Sequence, residues 1–327
     1  MKILVTGANG FLGQHLVTHL LNQGHEVYGL VRKASSININ HPKLTLLIGS
    51  LDEENLKWTL LLPKNLEICI HTAGLVHSFN TNDFYRVNSM GTKNLINALD
   101  KHLDNNNSFH FILISSLAAH GPSKGLDNSF DLPISHYGKS KKEAEELLKN
   151  NAPKNWIKSV IRPPMVIGPN DLAVLDIFKM VKSKFILLAG ILAYKNVYSF
   201  VCVFDLISGI EKVILQNKPQ FLDIAFPKTV NFLELITKIK VKMKVPFLIF
   251  LPIPFFLIKL ISKILNLLHF FYPLNIRLTP DKVIELNASS WISDSSLSET
   301  ELSLNYNYDL DKTLDITLEN YRLNKWV

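Results

Sequence analysis

Cysteine is almost absent from this sequence. The 327 residues include only Cys69 and Cys202, each inside a short apolar run and with no second cysteine nearby. This spacing argues against a disulfide framework. We expect two buried, reduced thiols and a cytoplasmic protein.

The sequence also lacks an uninterrupted apolar run of membrane-spanning length. The stretch before Gly7 is too short for a secretory signal, and we expect it to form a strand. Residues 245–258 are almost wholly apolar but include Pro246, Pro252 and Pro254, whereas a spanning helix needs about 20 residues. A membrane-crossing helix is therefore not expected.

Basic residues are not gathered into a nucleic-acid-binding pattern. The formal net charge is +7, but the lysines are spread along the chain without interleaved aromatic residues. We expect no nucleic-acid partner. An anionic ligand or membrane surface would also suit the charge.

Apolar segments typical of buried parallel strands alternate with helical segments in the first half. The predicted strands are 3–5, 26–31, 44–48, 68–70, 109–114 and 159–161, and the predicted helices include 13–23, 84–101 and 137–150. This βαβ alternation predicts an α/β fold, a doubly wound parallel sheet of the Rossmann type. After about Pro169 the alternation stops, which indicates a smaller, partly helical C-terminal region.

Two segments of that region have a readable pattern. Lysines alternate with apolar residues over 238–244, which predicts a half-exposed strand at a sheet edge. Residues 255–271 predict an amphipathic helix with Lys259, Ser262, Lys263 and Asn266 on one face. The two elements together suit an anionic membrane surface. Packing within the substrate region is favoured, because prolines and an edge strand need no lipid to explain them.

A glycine-rich turn lies between the first strand and the first helix. Thr6-Gly-Ala-Asn-Gly-Phe-Leu-Gly13 places glycines at 7, 10 and 13. Such a turn brings backbone and helix-terminal amides close to a pyrophosphate, so we predict a dinucleotide site. The alternative is an ordinary glycine-rich turn.

The end of the second strand bears on which dinucleotide binds. An acidic residue there would bind the ribose 2′-hydroxyl of NAD, but the sequence is Leu30-Val31-Arg32-Lys33. Arg32 suits a 2′-phosphate, so NADP(H) is favoured and NAD(H) stays possible. A merely solvated loop is the alternative.

Three Tyr-x-x-x-Lys pairs occur, Tyr137/Lys141, Tyr308/Lys312 and Tyr321/Lys325. Only the first begins a predicted helix after a strand that ends in two serines. The other two lie in a polar C-terminal tail and are interpreted as coincidental. Tyr137 and Lys141 are therefore the candidate catalytic pair.

The spacing has a chemical reason, because residues i and i+4 share a helix face. The Lys141 ammonium and an oxidised nicotinamide would lower the pKa of Tyr137, which then exchanges a proton with the substrate oxygen. Ser116 is predicted to supply a second hydrogen bond to that oxygen. Ser115 is the less favoured choice, since neighbouring strand side chains point to opposite faces.

Six ordered motifs carry a family resemblance. They are Thr6-Gly-x-x-Gly-x-x-Gly13, His71-Thr-Ala-Gly74, Val87-Asn-x-x-Gly-Thr-Lys-Asn94, Ser115-Ser-x-x-x-His-Gly121, Tyr137-Gly-Lys-Ser-Lys141 and Arg162-Pro-Pro-Met-Val-Ile-Gly-Pro169. The chain resembles the extended short-chain dehydrogenases, also called the NAD-dependent epimerase/dehydratase family. Around Arg32 it is similar to the branch with dihydroflavonol reductases and 3β-hydroxysteroid-dehydrogenase-like proteins.

The resemblance implies a set of cofactor contacts beyond Arg32. They are Gly7, Gly10, Phe11, Leu12, Gly13, Leu51, Thr72, Ala73, Gly74, Tyr137, Lys141, Pro163, Pro164, Met165 and Val166. Ser50 stands where the family usually has aspartate, which is a departure beside the adenine contact at Leu51. Homodimerisation is common in the family.

The resemblance also implies the domain organisation. Residues 1–170 would form the NAD(P)-binding Rossmann domain, with 198–225 returning to it. Residues 171–197 and 226–327 would bind a small-molecule substrate.

No metal site is expected, since His15 and His19 share a helix face without a carboxylate or a third histidine. His71 is expected to pack or hydrogen-bond at the nucleotide site.

The leading hypothesis is an NADP(H)-dependent oxidoreductase that interconverts a ketone and a secondary alcohol on a hydrophobic small molecule. A nucleotide-sugar epimerase or dehydratase with tightly bound NAD is the second hypothesis. A non-catalytic dinucleotide-binding sensor or scaffold is the third, and the intact Ser116, Tyr137 and Lys141 argue against it.

Overall fold

The fold was analysed in a computed structural model. It describes residues 1–53, 56–104, 108–122, 131–272, 274 and 276–327. Within these ranges, no helix is both long enough and apolar enough to cross a membrane.

Strands and helices alternate through the first 225 residues. The strands are β1 (Lys2–Thr6), β2 (Glu26–Val31), β3 (Leu44–Ile48), β4 (Ile68–His71), β5 (His110–Ile114), β6 (Ile157–Arg162), β7 (Met165–Ile167), β8 (Phe185–Ala189), β9 (Val197–Tyr198), β10 (Phe200–Cys202), β11 (Gln220–Asp223), β12 (Val230–Asn231), β13 (Ile249–Ile253) and β14 (Ser290–Trp291). The helices are α1 (Phe11–Asn22), α2 (Thr81–Phe84), α3 (Gly91–His102), α4 (Leu117–His120), α5 (His136–Asn151), α6 (Leu172–Ser183), α7 (Val203–Gln216), α8 (Phe232–Lys242), α9 (Phe255–Phe271), α10 (Pro280–Leu286), α11 (Ser296–Glu301) and α12 (Leu310–Leu323).

The central sheet has seven parallel strands in the order β11-β6-β5-β4-β1-β2-β3. The six strands predicted from the first 170 residues are all in it, and β11 adds to the β6 edge. Their nearly continuous apolar sequences suit strands that are buried on both faces. The predicted Rossmann-type fold is confirmed.

Helices cover both faces of this sheet. One face packs against α1 and α7 through side chains such as Leu16 and Ile210. The other face packs against α3 and α5 through side chains such as Leu95 and Leu148. The predicted helix at 84–101 is interrupted, because residues Tyr85–Met90 form a π-helical turn between α2 and α3.

A third apolar core lies in the C-terminal region, between α6, α8, β8 and α12. The edge strand predicted at 238–244 is wrong, since these residues belong to α8 and the turn after it. The buried residues of α8 are Leu235, Ile236 and Ile239, which have helical spacing. Lys238 and Lys242, one turn apart, pair with aspartates on α12. The alternation of lysines masked this periodicity.

The C-terminal segment is also more ordered than the sequence predicted. The residues interpreted as a polar tail include α12, and Tyr321 is one of the largest fully buried side chains. Its hydroxyl donates a hydrogen bond to the Asp171 carbonyl. Tyr321 is therefore a residue of the third apolar core.

The proline-rich apolar segment and the amphipathic helix are adjacent in space and sequence. Strand β13 contains Pro252 and, among the residues that the structure describes, pairs with β8 alone, so it is an edge strand in which proline is tolerated. Helix α9 has the predicted bounds. Its apolar face was expected to pack within the substrate region, but that face is exposed and Ser262 is among the few buried residues.

Helix α5 is fastened to the sheet by a buried ion pair. The Arg162 guanidinium on β6 donates to both carboxylate oxygens of Glu145 on α5, at 2.8 and 2.6 Å. Arg162 also donates to Asp131 at 2.8 and 2.9 Å, and the Ser115 hydroxyl donates to Glu145. Although burial opposes ionisation, the bonds from Arg162 and Lys142 lower the pKa of Asp131 to about 2. These bonds fix how α5 lies across the sheet.

We expect Glu145→Gln to destabilise the protein by about 3–5 kcal/mol, because it leaves the Arg162 charge buried and partly unpaired. Chemical denaturation measures the free energy of unfolding. The matched control is Glu301→Gln, which breaks an exposed pair with Lys218 and should cost less than about 1 kcal/mol. Equal effects of the two substitutions would contradict a structural role for the buried pair.

Candidate functional site

The carboxyl ends of the central strands lie side by side. The strand register aligns Thr6 of β1 with Leu30 of β2 and His71 of β4, and aligns His71 with Leu113 of β5. Ligands of open α/β sheets bind in the crevice at this edge. The candidate site residues follow these strand ends directly.

The glycine-rich turn between β1 and α1 cannot accept larger residues at two positions. Gly7 has φ +67°, and a Cβ there would lie 2.8 Å from Ala73 Cα. A Cβ on Gly13 would lie 2.1 Å from the Gly7 carbonyl oxygen. No side chain caps the N-terminus of α1, which begins after Gly10. A pyrophosphate fits this arrangement, because the amides of the first turn face outward from a close-packed backbone.

The segment after β4 is bonded to the same turn. Thr72 Oγ1 donates to the Thr6 carbonyl at 2.6 Å, and the Ala73 amide donates to Thr6 Oγ1 at 3.2 Å. The His71 ring contacts Thr6 Oγ1 and Thr92 Oγ1 at 2.6 and 2.9 Å. Burial and the nearby Lys141 charge lower the pKa of His71 to about 3. His71 is a neutral packing residue, as expected.

The Ser116 hydroxyl lies close enough to the Tyr137 phenol to lower its pKa. Ser116 caps the N-terminus of α4, where its hydroxyl accepts from the Ala118 amide at 3.1 Å. Ser115 points away from this site and binds Glu145. Ser116 therefore lies beside Tyr137 and Ser115 does not, because neighbouring side chains of an extended segment point to opposite faces.

The ionisation of Tyr137 differs from the sequence-based expectation. Burial raises its pKa to about 12, against a smaller lowering by Ser116, and the nearby Glu285 adds a still smaller increase. Burial also lowers the pKa of Lys141 to about 8. The tyrosine is therefore a protonated phenol at neutral pH, suited to donate a proton. The sequence-based expectation of a lowered pKa for Tyr137 relied on the positive charge of an oxidised nicotinamide as well as on Lys141.

Lys141 projects from α5 toward the end of β5. Its ammonium donates to the Ile114 carbonyl at 2.7 Å and is 95% shielded from solvent. A Cβ on Gly74 would lie 3.5 Å from Lys141 Nζ, so the backbone after β4 runs beside the ammonium. Tyr137, Lys141, Ser116 and Gly74 thus meet at one end of the sheet.

Asn88 is a further residue of the site, and no role was predicted for it from the sequence. Its amide nitrogen donates to Ser140 Oγ at 2.9 Å and to the Leu75 carbonyl at 3.0 Å. Its carbonyl oxygen accepts from the Leu75 amide at 2.7 Å. It lies in the π-helical turn, a feature often found at functional sites. The motif that begins at Val87 contains Asn88, but the sequence does not indicate which groups the Asn88 side chain binds.

Two carboxylates of the C-terminal region hold the start of α5. Asp281 accepts from the amides of His136 and Tyr137 at 2.7 and 3.1 Å. Glu285 accepts from Ser135 Oγ at 2.8 Å, while Ser135 caps the helix at Gly138. Negative charge is favourable at a helix N-terminus. Sequence reasoning missed both residues, because about 145 positions separate them from their partners.

The remaining predicted cofactor residues are more dispersed. Arg32 is exposed directly after β2, and Leu51 is buried beneath Gly91 after β3. The Pro163 carbonyl accepts from Leu117 at 2.9 Å, and Met165 starts β7. Phe11 and Leu12, the first residues of α1, pack partly buried against the core.

His15 and His19 do not converge on a common site. His15 Nε2 contacts the Pro169 carbonyl at 2.7 Å, and His19 Nε2 lies 3.1 Å from Glu211. Both histidines therefore have structural partners between α1 and its neighbours.

Curated relatives share part of the sequence. A ceramide reductase of Caulobacter vibrioides is 32% identical over 183 residues, which are 54% of this chain and 50% of the relative. A human sterol-4-alpha-carboxylate 3-dehydrogenase (decarboxylating) is 28% identical over 221 residues, 64% and 56% of the two chains. This chain spans about half the length of these relatives.

A solved structure shares the fold along nearly the entire chain. MoeE5 in complex with UDP-glucuronic acid and NAD aligns with a TM-score of 0.78, at 20% identity, over 99% of this chain and 100% of its own. At this identity the similarity establishes the fold alone.

A family model covers the part of the chain that builds the sheet and the strand-end site. The model of the NAD dependent epimerase/dehydratase family matches residues 3–225. That range extends from β1 through β11 and includes the glycine-rich turn, Ser116, Tyr137 and Lys141. The predicted resemblance is thereby confirmed, and the chain belongs to the NAD dependent epimerase/dehydratase family.

Proposed function

We propose that this protein is an NADP(H)-dependent oxidoreductase that interconverts a ketone and a secondary alcohol on a hydrophobic small molecule. The observation that carries the proposal is the convergence of Ser116, Tyr137 and Lys141 beside the glycine-rich turn. A phenol beside a serine hydroxyl and a buried ammonium is a proton-transfer site.

Tyr137 is the proton donor in the direction of reduction. Its phenol is protonated at neutral pH, so it can protonate a developing alkoxide. Ser116 is placed to donate a second hydrogen bond to the same oxygen, which stabilises the negative charge that develops there. Lys141, held by the Ile114 carbonyl, supplies the positive charge that stabilises the phenolate left behind.

The chain is built to hold a dinucleotide next to these groups. The tight turn at Gly7 and Gly13 and the uncapped start of α1 would receive the pyrophosphate. When bound, the nicotinamide supplies or accepts the hydride at the substrate carbon. Arg32, exposed after β2, supports a preference for NADP(H), because its guanidinium suits a ribose 2′-phosphate.

The substrate class follows from the C-terminal region and from the relatives. We assign residues 171–197 and 226–327 to substrate binding, and residues 1–170 with 198–225 to the nucleotide. The first group is rich in exposed apolar side chains. Two of the curated relatives are a ceramide reductase and a sterol-4-alpha-carboxylate 3-dehydrogenase, whose substrates are largely apolar.

We expect Tyr137→Phe to lower turnover by at least about 100-fold, because it removes the proton donor, while dinucleotide affinity stays within about twofold. Ketone reduction followed by cofactor fluorescence gives both quantities. The control is Tyr308→Phe, which alters another Tyr-x-x-x-Lys pair and should leave turnover unchanged. Normal turnover of the Tyr137 variant on any accepted ketone would refute the mechanism.

The pH profile of reduction should fall as pH rises through about 8. Above that pH the buried Lys141 loses its proton, and with it the charge that stabilises the Tyr137 phenolate. Lys141→Met should abolish this limb and lower the plateau by at least about tenfold. Lys139→Met changes an exposed lysine of the same helix and should preserve the profile. A flat wild-type profile between pH 7 and 10 would oppose the assignment.

Arg32→Ala should raise the KM for NADPH by about 10- to 100-fold and leave the KM for NADH nearly unchanged, because only NADPH has the 2′-phosphate. Initial rates with both cofactors measure the ratio. Arg322→Ala removes a distant guanidinium and is the charge control. Mass spectrometry of the purified protein adds a separate test, since tightly retained NAD would favour a nucleotide-sugar epimerase instead.

A further inference from the structure

Helix α9 presents its apolar side chains to the outside. Only Ile258 and Ser262 of its 17 residues are buried, and Phe256 and Phe270 are 67% and 83% exposed. A surface helix of a water-soluble protein normally turns its apolar stripe toward the core. The exposed large apolar residues of α9 are Phe256, Leu257, Leu260, Ile261, Ile264, Leu267, Leu268, Phe270 and Phe271.

The paired strands β8 and β13 continue this surface. Their register places Phe185 beside Ile249 and Leu187 beside Leu251, and all four side chains are exposed on one face. The intervening residues of β8, Ile186 and Leu188, are buried on the opposite face.

The turn after β8 connects the strands to the helix. The Gly190 amide donates to the Ile253 carbonyl at 3.0 Å, just before Pro254 begins α9. Ile191 and Leu192 follow in this turn and are 75% and 63% exposed. We call α9, β8, β13 and this turn the apolar face. Its sixteen exposed large apolar residues, which include Phe250 of β13, go well beyond the scattered single exposures that are ordinary on a protein surface.

The segments that build this face carry charge of one sign. Residues 177–204 contain four lysines and residues 235–280 contain six lysines and Arg277, with no aspartate or glutamate in either segment. In the rest of the chain, 28 acidic residues outnumber 24 basic ones. The net positive charge of the protein therefore comes from the two chain segments that contain the apolar face and from the residues that flank it in sequence.

Most of these cations are not neutralised within the fold. Lys238, Lys242 and Arg277 pair with aspartates. The ion pairs among the described residues include none of the other eight. Lys259 and Lys263 flank the exposed side of α9, and Lys184 lies 5.0 Å above the Phe247 ring. Such lysines can extend toward phosphate head groups while their methylene chains cover apolar surface.

We propose that the apolar face docks onto an anionic lipid bilayer and enters one leaflet. A helix that is apolar on one side, flanked by lysines and parallel to the surface suits the interface between head groups and acyl chains. The alternative of a second copy of this chain is disfavoured, because two faces that each carry this excess of lysines would repel one another.

The docked surface lies next to the candidate site. His269 of α9 stacks on Phe79 at a ring distance of 4.4 Å, and Phe79 follows the Gly74 segment. Helix α10, which contacts α9, carries the Asp281 that holds the Tyr137 amide. This consequence rests on the proposed function: an apolar substrate dissolved in the leaflet would reach Tyr137 without crossing water.

Cosedimentation of the full chain with vesicles tests the docking without reference to activity. We expect binding to vesicles of phosphatidylcholine and phosphatidylglycerol, and much weaker binding to phosphatidylcholine alone. Binding should weaken as salt rises from about 0.1 M to 1 M, since the screening length falls from about 10 Å to 3 Å.

Two double variants separate the apolar and the charge contributions. Leu267→Glu with Phe270→Glu should weaken binding at least about tenfold, because both side chains would leave the acyl region. Lys259→Glu with Lys263→Glu should also weaken it at least about tenfold, since each lysine near an anionic surface contributes about a fivefold change. The matched controls alter exposed residues elsewhere, Leu215→Glu with Leu323→Glu and Lys149→Glu with Lys154→Glu.

Circular dichroism and dinucleotide binding should be unchanged in every variant, because the altered side chains are exposed. Absence of binding to both vesicle types would overturn the proposal. So would binding that the apolar double variant leaves intact. A lipid-free dimer that dissociates on Leu267→Glu with Phe270→Glu would assign the face to a second copy and overturn the membrane assignment.

Discussion

The buried contact between Arg162 and Glu145 is the constraint on which the candidate site depends. It joins strand β6 of the central sheet to the helix that carries Tyr137 and Lys141, through two charge-assisted hydrogen bonds with almost no solvent access. Burying two charges is costly, and the pair is stable only because Asp131 and Ser115 satisfy the remaining polar atoms. The orientation of helix α5 across the sheet therefore has little freedom. The positions of Tyr137 and Lys141, which are i and i+4 in the first turns of this helix, are therefore also fixed.

The same helix is held from the opposite side by the C-terminal region. Asp281 binds the amides at its start, including that of Tyr137 itself, and Glu285 binds the capping residue Ser135. The position of the Tyr137 phenol is therefore coupled to the docking of a segment that follows it by about 145 residues. This coupling also has an electrostatic side, because Glu285 contributes to the raised pKa of Tyr137. The Tyr137 phenol is therefore protonated at neutral pH in the free protein.

Helix α9 shows how one sequence pattern can support opposite orientations. Its polar positions include Ser262, which is buried, and Lys259 and Lys263, which lie at the rim of the exposed apolar side. The protein contacts the narrow face around Ile258 and leaves the broad apolar face outside. A pattern of spacing identifies a helix and its two faces, but it does not state which face meets the rest of the chain. Residues 177–204 and 235–280 contain lysines but no acidic residue, so the exposed face combines apolar side chains with positive charge.

Local patterns in the sequence were sufficient for the parallel sheet, the glycine-rich turn and the candidate trio, because each depends on neighbours within a few residues: strand apolarity, the left-handed conformation of Gly7, and the helical spacing of Tyr137 and Lys141. Local pattern misled at residues 238–244, where alternating lysines concealed a helix whose buried residues pack against α12. It also missed Tyr321 as a core residue. Only the tertiary structure decided the partners of Asn88, Asp281 and Glu145 and the outward orientation of α9. Each of these depends on contacts between segments that are far apart in the chain, and such contacts leave no periodic signal in the sequence.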